Sequence, residues 1–495
     1  NSGGNLIAMR PDKQLAVLLG LTDAGSTLDN GYLLVNTSIP PGSGIVNQTI
    51  QFHGTADRYT LNGASSVAML YATASTATVN PAVTLRDVGT NGGQAAAFTY
   101  DLATSVIYTR QGNPAWEAQE RDGYPPIRSD DKFYGASSID LQPNWIDPNK
   151  VAIPQADEQQ RLLVNLILMM NLDRKPLPRF WYFPRGKKAV VIMTGDDHAN
   201  NGTADRFNQF KALSPPGCSV ADWECIRGTS YIYVNTPLTN AEAAGYNADG
   251  FAVGLHVSTD CNDYTQASLE SAYSQQISDW TAKYADIPAP ITQRHHCIVW
   301  SDWVSGAIVQ FNNGIRLDTN YYYYPSFFVN NLPGIFTGSA MPMRFVDHSN
   351  GNLIDVYQVV TQMNDESGQA YPFTVNTLLD RALGAEGYYG AYTVLAHNDK
   401  MTNPNSDIVA GTVVTAALDR SVPVITARQM LAWLDSRNSS SFGSITWNGN
   451  ELSFTILPGA GANGLQAMVP IISTAGSLTS ITRNTTPVSF TPDAI

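Results

Sequence analysis

The sequence predicts an α/β protein: a distorted β/α barrel, preceded by an N-terminal α/β region rich in strands and followed by a small C-terminal β-sandwich. Three observations carry this reading. From Lys187 onward, short continuous apolar runs alternate with helical or looped segments, as expected for parallel strands buried on both faces. Polar residues capable of chemistry stand directly after several of those runs, at the strand ends where β/α barrels carry their sites. From about Ser439 the pattern turns all-β, and Asn448-Gly449 joins Ser444–Trp447 to Glu451–Leu457, a strong hairpin signal.

Taken in order, residues 1–184 read as one region. Ile45–Phe52, Val67–Tyr71 and Ala95–Tyr100 are predicted strands between Gly and Asn turns. Pro154 introduces Gln155–Met170, where Leu162, Leu163, Leu166 and Met170 line one helical face. Pro176, Pro178 and Pro184 mark a boundary. Residues 185–437 form the predicted barrel, with strands at Ala189–Met193, Tyr231–Val234, Phe251–Leu255, Cys297–Trp300, Ile315–Leu317, Tyr392–Leu395 and Val422–Ile425. Residues 438–495 form the β tail. The segment Gly3–Met9 reads as a strand already inside a domain, so upstream material is expected to have been removed.

Composition narrows the function class. Charged residues make up 14% of the 495 residues and the net charge is −13, which argues against nucleic acid, whose binders need a basic face. The longest apolar run, Leu162 to Met170, is broken by Asn165 and is too short to span a bilayer. The four cysteines lie between positions 218 and 297. No Cys-x-x-Cys pair is present, so a zinc ribbon is a poor fit. Cys218 and Cys225 flank a short loop after Pro215-Pro216-Gly217 and suit a local disulfide, leaving Cys261 and Cys297 as the second pair, although four cysteines allow three connectivities. Disulfides favour an oxidising compartment, and the expected location is secreted or cell-surface.

The run Ala189–Met193 leads into Thr194-Gly195-Asp196-Asp197-His198. Two adjacent carboxylates and a histidine at a strand end can hold a metal and supply a base; like charges this close need a cation or a shared proton. Taken alone, such a pair is as often a solvated turn. Phe251–Leu255 ends in His256-Val257-Ser258-Thr259-Asp260, where a His and a carboxylate four apart share a face if a helical turn comes next. The strand ending at Leu395 delivers Ala396-His397-Asn398-Asp399.

Asp-Asp, then His-x-x-x-Asp, then the Arg294 segment, then Leu-x-His, in that order, resembles the NodB-homology polysaccharide deacetylases of carbohydrate esterase family 4 and its relatives, over roughly residues 187–435. The resemblance implies that Asp196 is the general base, that Asp197 and His256 bind a metal with Asp260 replacing a second histidine, that Arg294 orients the catalytic Asp, and that His397 is the general acid. The family's fourth motif, an Asp and a Trp, corresponds to Asp318 or to Asp302-Trp303. The implied enzyme is a metal-dependent polysaccharide deacetylase, a hydrolase of amide bonds on an acetylated amino-sugar polysaccharide. Its cofactor is a divalent metal, zinc first, with other divalent ions tolerated by a carboxylate-rich set.

A polymer substrate calls for aromatic walls. Trp300, Trp303, Asp318 and Tyr321 are the expected substrate contacts, and alternate residues of Tyr321–Tyr324 should point into the core. Two competing readings are a non-catalytic carbohydrate-binding or adhesion protein on a degenerate barrel, and an O-acetyl esterase using the same site. A serine hydrolase is disfavoured because no Gly-x-Ser-x-Gly elbow is present.

Overall fold

A computed structural model describes residues 3–135, 142–399 and 404–493. The chain divides into two compact units. The first comprises residues 1–110, 155–186 and 437–495, and the second residues 111–154 and 187–436.

The first unit is built on a six-stranded sheet in the order Leu6–Met9, Gly93–Phe98, Ala77–Val88, Ser65–Tyr71, Tyr32–Val35, Ile50–Gln51. The first pair is parallel and the rest antiparallel. The predicted helix appears as Gln155–Met169. It is stitched to an edge strand by amides rather than apolar contact alone: Gln155 Oε1 accepts the Gln51 N–H at 2.6 Å and Gln159 Nε2 donates to the Gln51 carbonyl at 3.0 Å. Ser441–Trp447 and Leu452–Leu457 pair antiparallel across the Asn448-Gly449 turn, where Gly449 has φ 92°. Beyond them, the described strands pair only two at a time, at 472–473 with 476–477 and 481–483 with 486–488. Ala467–Met468 pairs with Arg179–Phe180.

The second unit alternates strands and helices. The strands are β1 (Ala189–Asp197), β2 (Thr229–Ile232), β3 (Ala252–Val257), β4 (Thr292–His295), β5 (Leu317–Asp318), β6 (Met343–Asp347), β7 (Asn352–Gln358), β8 (Thr361–Asn364), β9 (Gly390–Leu395) and β10 (Val424–Ile425). The connecting helices are α1 (Gly202–Leu213), α2 (Asn240–Ala248), α3 (Gln266–Lys283), α4 (Ser305–Asn312), α5 (Phe373–Leu383) and α6 (Pro404–Asp419). The sheet order is β6-β7-β5-β4-β3-β2-β1-β9-β8, with β10 beside β1. Every pair is parallel except the β6–β7 hairpin. The two ends of that order meet. Val359 N–H donates to the Asp318 carbonyl at 2.9 Å and Thr361 N–H to the Tyr321 carbonyl at 2.8 Å, so pairing runs from β7 into β8 and the sheet curls round on itself.

Every residue of β1 and of β9 is buried, as both-face coverage by helices demands. Met193, Phe207, Phe210, Val253, Leu255, Leu269, Trp280 and Val394 belong to one core between strands and helices. A second core gathers Phe133, Tyr134, Trp300, Tyr321, Tyr323, Phe336 and Phe345. The predicted strand Cys297–Trp300 is a correction: the strand is Thr292–His295, one turn earlier, and His296–Ile298 is a 3-10 turn with Cys297 at φ 57°. The polar string Thr-Gln-Arg-His hid a strand whose four residues are all buried. Among the described residues no helix is long and apolar enough to cross a membrane. Both predicted disulfides, Cys218–Cys225 and Cys261–Cys297, are formed.

Candidate functional site

Parallel strands that all run one way bring their C-terminal ends together. The end of β1 contributes Asp196, Asp197 and His198; β3 contributes His256; β4 contributes Arg294 and His296; β8 contributes Asp365 and Glu366; β9 contributes His397 and Asp399. The chain has seven histidines, and four of them converge here. Ring centroids of His198, His256 and His296 form a triangle with sides of 5.4, 5.0 and 5.4 Å, and His397 lies 5.5 Å from His198.

One nitrogen from each of His198, His256 and His296 comes within 4.8 Å of the other two. The back of each ring is held. His256 Nδ1 lies 2.9 Å from the Arg294 carbonyl, so this nitrogen carries the proton and Nε2 is the lone-pair nitrogen. That Nε2 is buried without a hydrogen-bond partner. His198 Nδ1 lies 2.7 Å from Asp399 Oδ2, and its backbone N–H donates to Asp399 Oδ1 at 2.9 Å. His296 Nδ1 is 3.3 Å from Ser258 Oγ. Imidazoles oriented by a carbonyl and a carboxylate behind them are the usual surroundings of a metal-binding histidine, and three imidazole nitrogens suit zinc. Burial first, then the neighbouring His198 and His296, drive the His256 pKa well below its usual value. His296 is likewise lowered to about 4, chiefly by burial. Both rings are therefore lone-pair donors at neutral pH.

Asp196 is 3% exposed. Its Oδ2 lies 3.9 Å from His256 Nε2 and its Oδ1 3.7 Å from Arg294 Nη1. Burial raises its pKa, against the opposing pull of Arg294 and the histidines. Arg294 is fully buried, donates from Nη2 to Thr361 Oγ1 at 2.8 Å, and has no hydrogen-bond partner for Nε or Nη1. It faces Asp196 without crossing to it, as an orienting cation would.

His397 is oriented by Asp365: Nδ1 lies 2.9 Å from Oδ1, and the His397 backbone N–H donates to Oδ2 at 2.9 Å. Ser406 Oγ also donates to Asp365 Oδ2. The opposite nitrogen, Nε2, is 3.7 Å from Glu366 Oε1. Burial works against the charged ring, but the hydrogen bond and charge of Asp365, with Glu366 and Asp196, lift its pKa to about 10.

The remaining expected site residues lie elsewhere. The carboxylate of Asp197 is fully occupied by the start of α1: Oδ1 accepts the N–H groups of Asn200 and Asn201, and Oδ2 accepts Thr203 N–H at 3.0 Å and Thr203 Oγ1 at 2.7 Å. Four donors leave no lone pair to spare for a cation. Asp260 is exposed, with φ 55°, and neither carboxylate belongs to the three-histidine group. Asp318 is buried and accepts Gln310 Nε2 at 2.6 Å and Asn320 Nδ2 at 2.6 Å. Trp300, Trp303 and Tyr321 are all at most 2% exposed; Trp300 stacks on Phe345 at 5.1 Å, and Trp303 Nε1 donates to the Val346 carbonyl. The tyrosine run does alternate. Tyr321 and Tyr323 enter the second core, whereas Tyr322 and Tyr324 pack with Ile298 and Leu395 near the site. Tyr322 Oη donates to Glu366 at 3.1 Å.

His296, Asp365, Glu366 and Asp399 belong to this site with no ligand or catalytic role assigned from sequence, whereas His198 already stands in the sequence among the groups able to hold a metal. The scarcity of histidine was the available signal: His198, His256, His296 and His397 are four of only seven in the chain. Asp365-Glu366 comes after a polar string, Thr361-Gln362-Met363-Asn364, that reads as a loop.

No family model and no curated protein matches the chain. Solved structures do. A family 4 carbohydrate esterase from Streptomyces lividans in complex with acetate is 12% identical, over 47% of this chain and 90% of that one, with a TM-score of 0.28. A polysaccharide deacetylase from Bacillus cereus is 11% identical, over 48% and 91%, with a TM-score of 0.28. A family 4 acetyl xylan esterase from Clostridium thermocellum, in complex with a cobalt ion, is 12% identical, over 49% and 91%, with a TM-score of 0.26. The chain is thus similar to family 4 carbohydrate esterases and NodB-type polysaccharide deacetylases. At these TM-scores the likeness goes no further, and the chemistry has to come from the side chains.

Proposed function

We propose that this protein is a metal-dependent deacetylase that removes N-acetyl groups from an amino-sugar polysaccharide, working outside the cell or at its surface. The observation that carries the reading is the unpartnered, buried Nε2 of His256, set among three imidazole nitrogens and 3.9 Å from a buried carboxylate. His198, His256 and His296 would hold the divalent ion, zinc by the chemistry of the donors. Such an ion, when bound, supplies Lewis acidity toward the acetyl carbonyl and the attacking water.

The chain's own residues do the proton work. Asp196, desolvated and unbonded at Oδ1, is placed to take the proton of the attacking water. Arg294, 3.7 Å away, faces that carboxylate and favours its ionised form against the effect of burial. His397, locked by Asp365 at Nδ1, holds a proton at Nε2 for the departing sugar amine. An amine needs that proton more than an alkoxide does, which favours N- over O-deacetylation for a site with a strongly supported histidinium. Of the expected accessory regions 1–184 and 438–495, residues 111–154 share the compact unit of the barrel, so the accessory assignment is kept for the rest; the two disulfides support an oxidising location.

The test is acetate release from partly acetylated amino-sugar oligomers, using untreated, chelator-treated and zinc-restored protein, with Asp196→Asn in parallel. Release that needs zinc and falls about 10²–10⁴-fold in the variant supports the reading. A zinc-loaded protein that releases no acetate from any acetylated glycan sinks it in favour of a carbohydrate-binding role.

A further inference from the structure

Asp365 and Glu366 are adjacent in the chain and serve opposite edges of the His397 ring. Asp365 has a wholly buried side chain and spends its carboxylate on Nδ1 and the backbone N–H of His397 and on Ser406. Glu366 faces the other nitrogen. Its Oε1 lies 3.7 Å from His397 Nε2, and 46% of its side chain is open to solvent. The deacetylation proposed above uses Asp365 to hold the acid and gives Glu366 no task of its own.

The Glu366 carboxylate is nevertheless fixed. Oε2 accepts Tyr322 Oη at 3.1 Å, from a residue that is 0% exposed and packs with Ile298 and Leu395. The backbone N–H groups of Glu366 and Ser367 donate to Asn364 Oδ1 at 3.0 and 2.7 Å, and Asn364 Nδ2 ties the turn to the Tyr323 carbonyl at 3.0 Å. Oε1 is different. Among the described residues it accepts no hydrogen bond, since 3.7 Å to His397 Nε2 is too long for one. One oxygen is anchored to the core, and the other stands beside the general acid as an acceptor without a donor.

Two atoms 3.7 Å apart can both lie about 3 Å from a third. A nitrogen within reach of Nε2 can therefore also donate to Oε1. An acetamido nitrogen is planar, with one N–H and its lone pair delocalised into the carbonyl. We infer, resting on the deacetylase reading, that Glu366 is a specificity-determining residue: its Oε1 accepts the substrate's acetamido N–H and selects N-acetyl over O-acetyl groups. With that N–H held by Oε1, the lone pair that localises on nitrogen as the carbonyl carbon becomes tetrahedral is left to His397. It takes the Nε2 proton, the C–N bond breaks with its electron pair on nitrogen, and His397 is left neutral. Acetate departs with the oxygen of the attacking water, whose proton Asp196 has taken. An ester oxygen in the same place brings no hydrogen and sets its lone pairs against the carboxylate.

The experiment uses the zinc-loaded full chain. Acetate release is measured on an N-acetylated amino-sugar oligomer and on an O-acetylated neutral-sugar oligomer of the same length, for wild type, Glu366→Gln and Glu366→Leu, with Tm and zinc content alongside. A hydrogen bond to a charged acceptor that water can still reach corresponds to about 10–100-fold. The ratio of amide to ester kcat/KM should fall by that factor in Glu366→Leu and by less in Glu366→Gln, which keeps an acceptor oxygen. Should the leucine variant fail to fold, Tyr322→Phe, which releases Oε2, should lower the same ratio. A ratio that stays at the wild-type value in Glu366→Leu, whether both activities persist or both fall together, overturns the proposal and leaves Glu366 a neighbour of His397 with no part in substrate choice. A zinc-loaded wild type that releases acetate from neither oligomer overturns the deacetylase reading itself, and this inference with it.

Discussion

Two substitutions on neighbouring carboxylates separate the three-histidine geometry from the ligand set that motif order alone implies. Asp399 holds His198 through Nδ1 at 2.7 Å and the His198 backbone N–H at 2.9 Å. Asn at position 399 keeps one acceptor but removes the charge that makes the imidazole a better donor. Loss of such a supporting carboxylate costs about 10–100-fold in metal affinity, about 1.4–2.7 kcal/mol, with little effect on Tm of the metal-free protein. Asp197 behaves in the opposite way. Its four accepted hydrogen bonds come from Asn200 and Asn201, just before α1, and from Thr203 in its first turn, and Asp197→Asn turns an amide NH₂ against donors. About 1–3 kcal/mol of stability should be lost, with zinc affinity changed by less than about threefold, well below the cost of losing a supporting carboxylate. Zinc content by mass spectrometry, competition against a chromogenic chelator, and Tm measured without metal give all the quantities needed. If Asp197→Asn empties the site while Asp399→Asn leaves affinity intact, the three-histidine assignment is wrong.

Three further outcomes are expected. The Cys261–Cys297 bridge closes a separation of 36 residues and flanks His296; removing it by paired Cys→Ser substitution should cost about 3–4 kcal/mol by chain entropy and weaken zinc binding, and a double variant with unchanged affinity would detach the bridge from the site. Trp300→Ala should destabilise by about 3–5 kcal/mol as a core truncation, so a raised KM at unchanged Tm would instead put the indole on the substrate. Burial holds His53 neutral, with its pKa lowered to about 3. The unfolded chain takes up that proton below about pH 6.5, so stability is full above that pH and falls by about 1.4 kcal/mol per unit toward pH 3. Urea unfolding at several pH values should show a shallower slope for His53→Gln, and an equal slope would refute this.

Much of the site lay in the open in the sequence. Asp196, His256 and His397 come directly after or at the end of apolar runs, and Arg294 joins them through the resemblance to the NodB-homology deacetylases. Parallel strands buried on both faces read as apolar runs, and the polar residues at their C-terminal ends gather on one rim. The helix Gln155–Met169, the Asn448-Gly449 hairpin and the Cys218–Cys225 pairing were local facts, decided by residues near one another in the chain.

What only the tertiary structure decided was the use of each polar side chain. Asp197 and His198 are adjacent, yet one carboxylate is consumed by a helix start and the next ring is turned toward His256 and His296 by Asp399, about two hundred positions away. The same holds for Trp300 and Tyr321, which an aromatic-rich stretch recommends as sugar platforms but which fill a core with Phe133 and Phe345. Residue type sets what a group can donate or accept. Whether its lone pairs remain free depends on partners brought from distant segments by folding, and no spacing along the chain records them.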